Sequence, residues 1–518
     1  MLVSIFNDVL GPVMRGPSSS HCAAALRIGR LARDLMGGKI ERVLVEFDRS
    51  GSLPTTHASQ GSDMGLFGGL LGWDAADERL PDSAIALRDA GIELSIETVD
   101  VGDPHPNTYR LTLSNATETH TLHAISTGGG MIEVIQIDGQ PVSLFGDQEV
   151  CVAGRTLHPV LPVLTLPSST VPFKSALGML RYIESNLSPS DLSPSPSPGR
   201  SSLAGKGEQS PSYSPFPKEE RLPAPRGYPG GRGERFSEET PLWKLAAQYE
   251  MQRGGLTEDE VLAKALNLIQ ILRRSIAQGL AGTHYDDRIL GAQSPGFAAK
   301  LAAGQLLNGG ALNRIVLYVT ALMEVKSSMG VIVAAPTAGA CAALPGAVIA
   351  MAEELGLDER EMAKAFLASG LIGVFITTRW SFAAEVGGCQ AEGGSAACMA
   401  AAALVQLGGG TLTQSLAASS MALQNMLGLI CDPIANRVEA PCLGKNVMAA
   451  SNALSCANMA LAGYDPLIPL DEVIETAKRV SAQMPRELRC TNLGGLSISP
   501  TSQAIEEKLL QLQLRRQN

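Results

Sequence analysis

Apolar and polar positions alternate in two stretches of the first hundred residues. In "ERVLVEF" (41–47) and "IELSIETVDV" (92–101) every second side chain is apolar, which predicts half-buried β-strands. "CAAALRIGRLARDLM" (22–36) repeats at helical spacing instead, and the hydroxyls of "SSSH" just before it offer an N-cap. "ISTGGGMIEVIQIDGQPV" (125–142) reads as a glycine turn followed by a hairpin. From about residue 242 to 516 the spacing is helical nearly throughout. "TEDEVLAKALNLIQILRRSIAQGL" opens with Thr257 and has Glu260 three residues on, a capping-box pattern. "CMAAAALVQLGG", "QSLAASSMALQNMLGLI" and "LDEVIETAKRVSAQM" continue the series. The apolar run "MGVIVAAPTAGACAALPGAVIAMA" is interrupted by Pro336 and Pro345, so it reads as a buried, broken helix and not as a membrane span.

The pattern gives an organisation. Residues 1–180 form an α+β domain and residues 242–516 an all-α domain. Residues 186–240 are rich in Ser, Pro, Gly and charge. Such a segment buries too little apolar surface to offset its ordering entropy and is expected to be a disordered linker.

Composition narrows the function classes. The chain has 518 residues, 45% hydrophobic and 18% charged, with a formal net charge of −10. It lacks a Lys/Arg block, which argues against nucleic acid as a partner. Nine cysteines, an odd number, in a chain without a secretory leader point to a reducing compartment. The "GPSSSH" motif begins at residue 16 and leaves almost no room for a presequence, so a cytoplasmic protein is expected.

Three cysteines sit beside Gly or Pro breaks: Cys389 in "EVGGCQAEGG", and Cys431 and Cys442 in "GLICDPIANRVEAPCLGKN". Their spacing matches no Cys-x-x-Cys knuckle and on its own favours packed core thiols; the Gly and Pro breaks, where a thiol can project from a loop or helix end, argue for ligands. Cys341, Cys398, Cys456, Cys22, Cys151 and Cys490 take the packing reading. "GPSSSH" places three hydroxyls at a helix start, where hydroxyl and backbone donors suit a carboxylate, or simply cap the helix. A pyridoxal-phosphate site is disfavoured. The nearest lysine motif, "EVKSSMG" (324–330), lies in the helical half without alternating parallel strands.

Taken together, "GGCQAE", "LGLICDPIANRVEAPC", "NVMAASNA", "APTAGACAALPG" and "LGGLSISP" resemble the α domain of the iron–sulfur-dependent L-serine dehydratases. "RGPSSSH", "SGSL", "HPNT" and "STGGGMIEV" resemble that family's β domain, in the same order. The resemblance implies a [4Fe–4S] cluster on Cys389, Cys431 and Cys442, with an open iron acting on a leaving hydroxyl. It implies catalytic roles for His21, Ser19 and Ser20. It implies substrate contacts from Ser18, His57, Ser62, Asp63, Asn107, Thr337 and Gly339. The expected reaction converts L-serine, or a close β-hydroxy amino acid, to pyruvate or the 2-oxo acid and ammonia. A homodimer without nucleic-acid or membrane partners is expected.

Some positions depart from the family's pattern. A histidine is replaced by Gln60 in "SQGSD", with His57 nearby as a substitute. A run of small polar residues appears as "RWSFAA" (379–384), the usual Arg-Glu-Thr is "RCT" (489–491), and an Arg-Asn pair is Lys445-Asn446. These changes leave two alternatives: a cluster-dependent lyase on another substrate such as L-cysteine, or a non-catalytic amino-acid or redox sensor.

Overall fold

The computed structural model describes residues 3–146, 150–152, 154–158, 240–285 and 287–517. The linker expected over 186–240 lies, except for Thr240, outside the described residues.

The alternating stretches are strands. β1 (Val13–Met14) is followed by α1 (Ala24–Leu35), β2 (Arg42–Asp48), α2 (Leu53–Gln60), α3 (Ser62–Leu70) and α4 (Ser83–Asp89). Then come β3 (Glu93–Val99), β4 (Thr108–Ser114), β5 (Thr119–Gly128), β6 (Met131–Ile137) and β7 (Gln140–Leu144). They form a mixed six-stranded sheet in the order β3-β2-β4-β5-β6-β7. Only β2 and β3 run parallel, with Val43 beside Leu94 and Val45 beside Ile96. The crossover this pairing needs is supplied by α2–α4. The apolar side chains of β2 and β4–β6, among them Val45, Tyr109, Leu122 and Val134, meet Ile28, Leu31 and Leu35 of α1 in one core.

α1 and α3 approach until their backbones touch. A Cβ on Gly65 would lie 2.0 Å from the Cys22 carbonyl oxygen, and one on Gly69 2.1 Å from that of Leu26. Glycine is therefore required on this face of α3, and the contact fixes the Ser18–His21 turn relative to α2 and α3.

The second half is helical. Its main helices are Leu242–Gly254, Glu258–Ala281, Ala311–Ser327, Ala343–Glu354, Glu359–Thr377, Ser395–Leu407, Leu412–Gln424, Cys442–Leu461 and Leu470–Gln483. The helix Ser395–Leu407 is buried along almost its whole length, which its run of alanines permits because neighbouring helices can pack close on every side. Thr257 and Glu260 form the expected capping box.

The core of this half crosses the sequence boundary. Ile5 and Val9 sit on Gly370 and Gly373, where a Cβ would come within 2.2 and 2.1 Å of their methyl carbons. β1 pairs antiparallel with β10 (Ile332–Val333), Val13 against Val333. The first residues of the chain are thus built into the helical body and tie the sheet region to it.

Three sequence readings need correction. The 329–352 run is not a broken helix. It is the short β10, a turn through Pro336–Cys341, and an intact helix Ala343–Glu354. Pro345 falls in the first turn of that helix, where its missing N–H has no intrahelical partner to lose. The "SSSH" hydroxyls do not cap α1: the chain enters through a widened turn, Ser19–Ala23, and Ser18 makes no capping bond. Cys151 is exposed and not a packed core thiol. Among the described residues, no helix is long and apolar enough to cross a membrane.

Candidate active site

The freed hydroxyls of Ser18–Ser20 build a dry polar knot between the two halves. His21 is fully buried. Its Nδ1 lies 3.0 Å from Ser18 Oγ and 3.3 Å from Glu385 Oε1, and its Nε2 lies 2.8 Å from Thr56 Oγ1. Thr56 spends its own proton on the Ser52 carbonyl at 2.8 Å. It can therefore only accept from His21, which places the ring proton on Nε2 and leaves Nδ1 to accept from the Ser18 hydroxyl. Burial lowers the His21 pKa, although the Glu385 carboxylate opposes that shift. Ser20 Oγ donates to Glu385 Oε1 at 2.9 Å, and the Ala338 N–H donates to Ser19 Oγ at 3.1 Å. Glu385, Ala338 and Thr337 come from the helical half. One carboxylate oxygen, Glu385 Oε2, is buried without a partner.

The other expected contacts divide into two groups. Asn107 and Ser126 are buried neighbours at the ends of β4 and β5. Asn107 Nδ2 and Ser126 Oγ are both buried without a hydrogen-bond partner. Thr337 Oγ1 receives the Ala340 N–H at 3.1 Å, and the Gly339 carbonyl receives Asn446 Nδ2 at 2.8 Å. A Cβ on Gly339 would meet Glu392 Oε2 at 2.8 Å. Burial, with Cys389 and Glu385 nearby, pushes the Glu392 carboxyl up to about 8. Ser62, in contrast, is bonded to the Tyr109 hydroxyl at 2.8 Å. His57 and Asp63 pair with each other at 2.7 Å, both partly exposed.

The thiols lie on the other side of Glu385. Cys389, Cys431 and Cys490 form one buried cluster with Ala384. The loop of Cys431 is held by its own N–H, which donates to the Leu488 carbonyl at 2.9 Å. The Cys389 turn is held to the Cys431 loop by Gln390, whose N–H donates to Leu429 O at 2.9 Å and whose Oε1 accepts the Gly428 N–H at 2.8 Å. Cys442 opens the helix Cys442–Leu461, and Asn446 one turn on ties it to the 337–343 turn. Cys431 hydrogen-bonds to both Cys389 and Cys490, which raises its own pKa and lowers that of Cys389. Lys445 Nζ stands 3.7 Å from Cys389 Sγ and 2.6 Å from Asp432 Oδ1. Burial opposes its charge, but Cys389 and Asp432 outweigh burial and hold the ammonium charged. Burial pushes Cys442 up to about 12, as it does the packed thiols Cys22 and Cys341.

The donor set fits a thiolate-held iron–sulfur cluster. The cysteines are soft donors in an apolar wall, with a buried ammonium to offset their negative charge. Among the described residues, no three His, Cys, Asp or Glu side chains converge as the ligands of a single metal ion do. Cys389, Cys431 and Cys490 form a row with Cys431 in the middle.

Sequence reasoning missed Glu385 and marked Cys490 and Lys445 only as departures from the family's pattern. Cys490 looked like an isolated thiol because its partner is 59 residues away, and Glu385 is separated from His21 by 364 residues. The available signal for Cys490 was its place in the altered "RCT". Arg379, in the altered "RWSFAA" run, reaches Asp471 at 3.4 Å on a neighbouring helix.

The family comparison agrees with this geometry. Residues 237–497 match the family described as serine dehydratase alpha chain. The chain is 37% identical over 260 residues to the probable L-serine dehydratase alpha chain of Bacillus subtilis, covering 50% of this chain and 87% of that one. It is 38% identical over 273 residues to the L-serine dehydratase alpha chain of Peptoniphilus asaccharolyticus, covering 52% and 92%. It is also 43% identical over 145 residues to the probable L-serine dehydratase beta chain of Bacillus subtilis, covering 28% and 64%. The chain belongs to the serine dehydratase family, with alpha-type and beta-type parts fused in one polypeptide.

Proposed function

We propose that the chain converts L-serine, or a close β-hydroxy amino acid, to the 2-oxo acid and ammonia, using a [4Fe–4S] cluster on Cys389, Cys431 and Cys442. The observation that carries this reading is the His21 knot: a dry imidazole with its basic nitrogen toward Glu385, the same carboxylate that acts on the buried thiols. When bound, the cluster supplies a Lewis-acidic iron to the departing hydroxyl.

The protein's own residues supply the rest. His21 Nδ1 takes the α-proton, relayed through the Ser18 or Ser20 hydroxyl, which lie 3.3 Å apart. Glu385, 3.3 Å from Nδ1, then stabilises the imidazolium. Its free oxygen suits the substrate ammonium. Asn107 Nδ2 and Ser126 Oγ suit the substrate carboxylate, because each gains the hydrogen bond it lacks. Burial of the knot excludes bulk water until the enamine product leaves, tautomerises and hydrolyses. The roles of Ser19, Thr337 and Gly339 are positional: Ser19 accepts from Ala338 and ties the two turns together, Thr337 braces its own turn through Ala340, and Gly339 ties it to Asn446.

The similar proteins named as L-serine dehydratases support serine as the substrate. An anaerobic screen of L-serine, L-threonine and L-cysteine, reading 2-oxo acid release, tests the proposal. Serine is expected to lead. Turnover of cysteine alone overturns the substrate assignment, and turnover by pure iron-free protein overturns the cofactor.

A further inference from the structure

The lysine of "EVKSSMG" has no part in the chemistry above. Lys326 lies in the last turn of the helix Ala311–Ser327, and it is fully buried. Its Nζ donates to the Val438 carbonyl, in the loop that joins Cys431 to Cys442. An ammonium has three N–H donors, and this carbonyl is the one acceptor they meet among the described residues. Lys364 and Lys445 have Glu361 and Asp432 as ion-pair partners; among the described residues, no carboxylate pairs with Lys326. The carboxylates next to it in the two segments are committed to other donors. Glu324 accepts from the Gln293 N–H and the Ser294 hydroxyl, and Glu439 accepts from the N–H groups of Ile289 and Leu290.

A buried charge without a counter-ion is costly, so this corner of the fold is built for an anion that the chain alone does not supply. The side chains that feel the Lys326 charge include Cys442, Cys341 and Glu392. Burial holds the packed thiol Cys341 neutral and pushes the Glu392 carboxyl up to about 8. Cys442 is the member of this group that becomes an anion on binding iron. We propose that Lys326 is a counter-ion of the cluster on the side of Cys442, as Lys445 is on the side of Cys389, and that its charge makes the loaded cluster easier to reduce; the inference rests on the proposed function.

The two ammonium groups differ in what surrounds them. Lys445 bonds Asp432 Oδ1 at 2.6 Å, so part of its field is cancelled at short range. Lys326 is fully buried and bonded to a neutral carbonyl, so its field passes through a dry wall with little screening. Reduction adds a negative charge to a cluster, and a fixed positive charge nearby lowers the cost of that step. The Val438 bond is a lesser contribution. The residues on either side of Val438 are tied down independently, Arg437 to Asp287 and Glu439 to the 289–290 backbone. The loop between the two cysteines therefore keeps its place without Lys326, and the charge is what a variant loses.

The test uses the full chain, reconstituted anaerobically, as wild type, Lys326→Met, Lys326→Gln and Lys326→Arg. Glutamine keeps an N–H for the Val438 carbonyl but no charge, and arginine keeps both. Iron is counted, and the cluster is titrated with dithionite at controlled potential and followed by electron paramagnetic resonance. At the wild-type midpoint, the ratio of reduced to oxidised cluster should fall about tenfold in the Met and Gln variants, a shift of about 59 mV to more negative potential for one electron. The Arg variant should return toward wild type. Equal midpoints in wild type and the Gln variant overturn the proposal, even if the Met variant fails to fold; a shift in Met alone makes Lys326 only a brace for Val438. A raised KM for serine with an unmoved midpoint assigns the ammonium to the substrate carboxylate and overturns it as well. Wild type that assembles no cluster overturns the proposed function too. Wild type that assembles a cluster and turns over serine, with a midpoint indifferent to residue 326, overturns only the role of Lys326.

Discussion

The two sides of the site are finished to different degrees. On the Ser18–His21 side nearly every polar atom has a partner: Ser18, Ser20, His21 and Thr56 are bonded to one another, to Glu385 or to backbone. On the thiol side the donors bond mainly to each other, and Lys445 brings a positive charge to a row that has yet to carry its negative ones. The first side is organised by the fold alone. The second is organised by turns but completed only by what it binds. The knot is therefore expected to respond to pH and packing, and the row to metal and oxidant.

The largest expected effect comes from the row. Cys431→Ala removes the central thiol, and essentially all cluster absorbance and activity should disappear while the melting temperature of the metal-free chain changes little. A variant that keeps a full complement of iron breaks the comparison at its root.

On the knot side, His21→Gln should lower kcat by roughly 10²–10⁴-fold while leaving bound iron unchanged, the range expected for loss of a general base. It should also change the acid response of the metal-free chain. His21 has a folded pKa below its ordinary 6.5 because burial disfavours the charged ring. The unfolded chain then binds more protons than the folded one, so the stability contributed by neutral His21 is present above pH 6.5 and lost as pH falls toward the folded value. Unfolding by urea from pH 7.5 downward should show this slope in the wild type and a flatter one in His21→Gln.

Gly65→Ala tests the scaffold that holds the knot. With the Cys22 carbonyl 2.0 Å from the new Cβ, α1 and α3 must separate. A loss of about 3 kcal/mol is expected, the scale of overpacking in a tight core, with a larger fall in kcat than in bound iron. Equal losses of both would mean that the two sides are not independent.

The smallest effect lies far from both. Thr257→Ala removes a capping box from the helix Glu258–Ala281 and should cost about 1 kcal/mol without altering activity or iron content.

The elements were legible where burial imposes a period. Alternation in β2 and β3 and helical spacing in Glu258–Ala281 follow from one face meeting a core, and both appear in the sequence. Pro345 misled because a proline's effect depends on its position in a helix, and that position is set by the turn before it. The core itself was less legible. Ile5 and Val9 pack on Gly370 and Gly373, contacts between residues hundreds of positions apart that leave no local signature. The site divides in the same way. His21 and Ser18–Ser20 stand in one short motif and could be named together. Glu385, Cys490 and Lys445 acquire their roles only when the chain brings them to His21, Cys431 and Cys389. Ser62 shows the converse: a polar residue inside a recognisable motif whose hydroxyl is bonded to Tyr109.

The central claim is that the buried thiols hold a cluster on which the reaction beside His21 depends. The most direct measurement is iron and acid-labile sulfide per chain, determined together with pyruvate release from L-serine across a series of anaerobic preparations loaded to different extents. The account predicts about four irons and four sulfides per fully loaded chain, with activity proportional to loading. Activity that stays constant as iron falls to zero would contradict it.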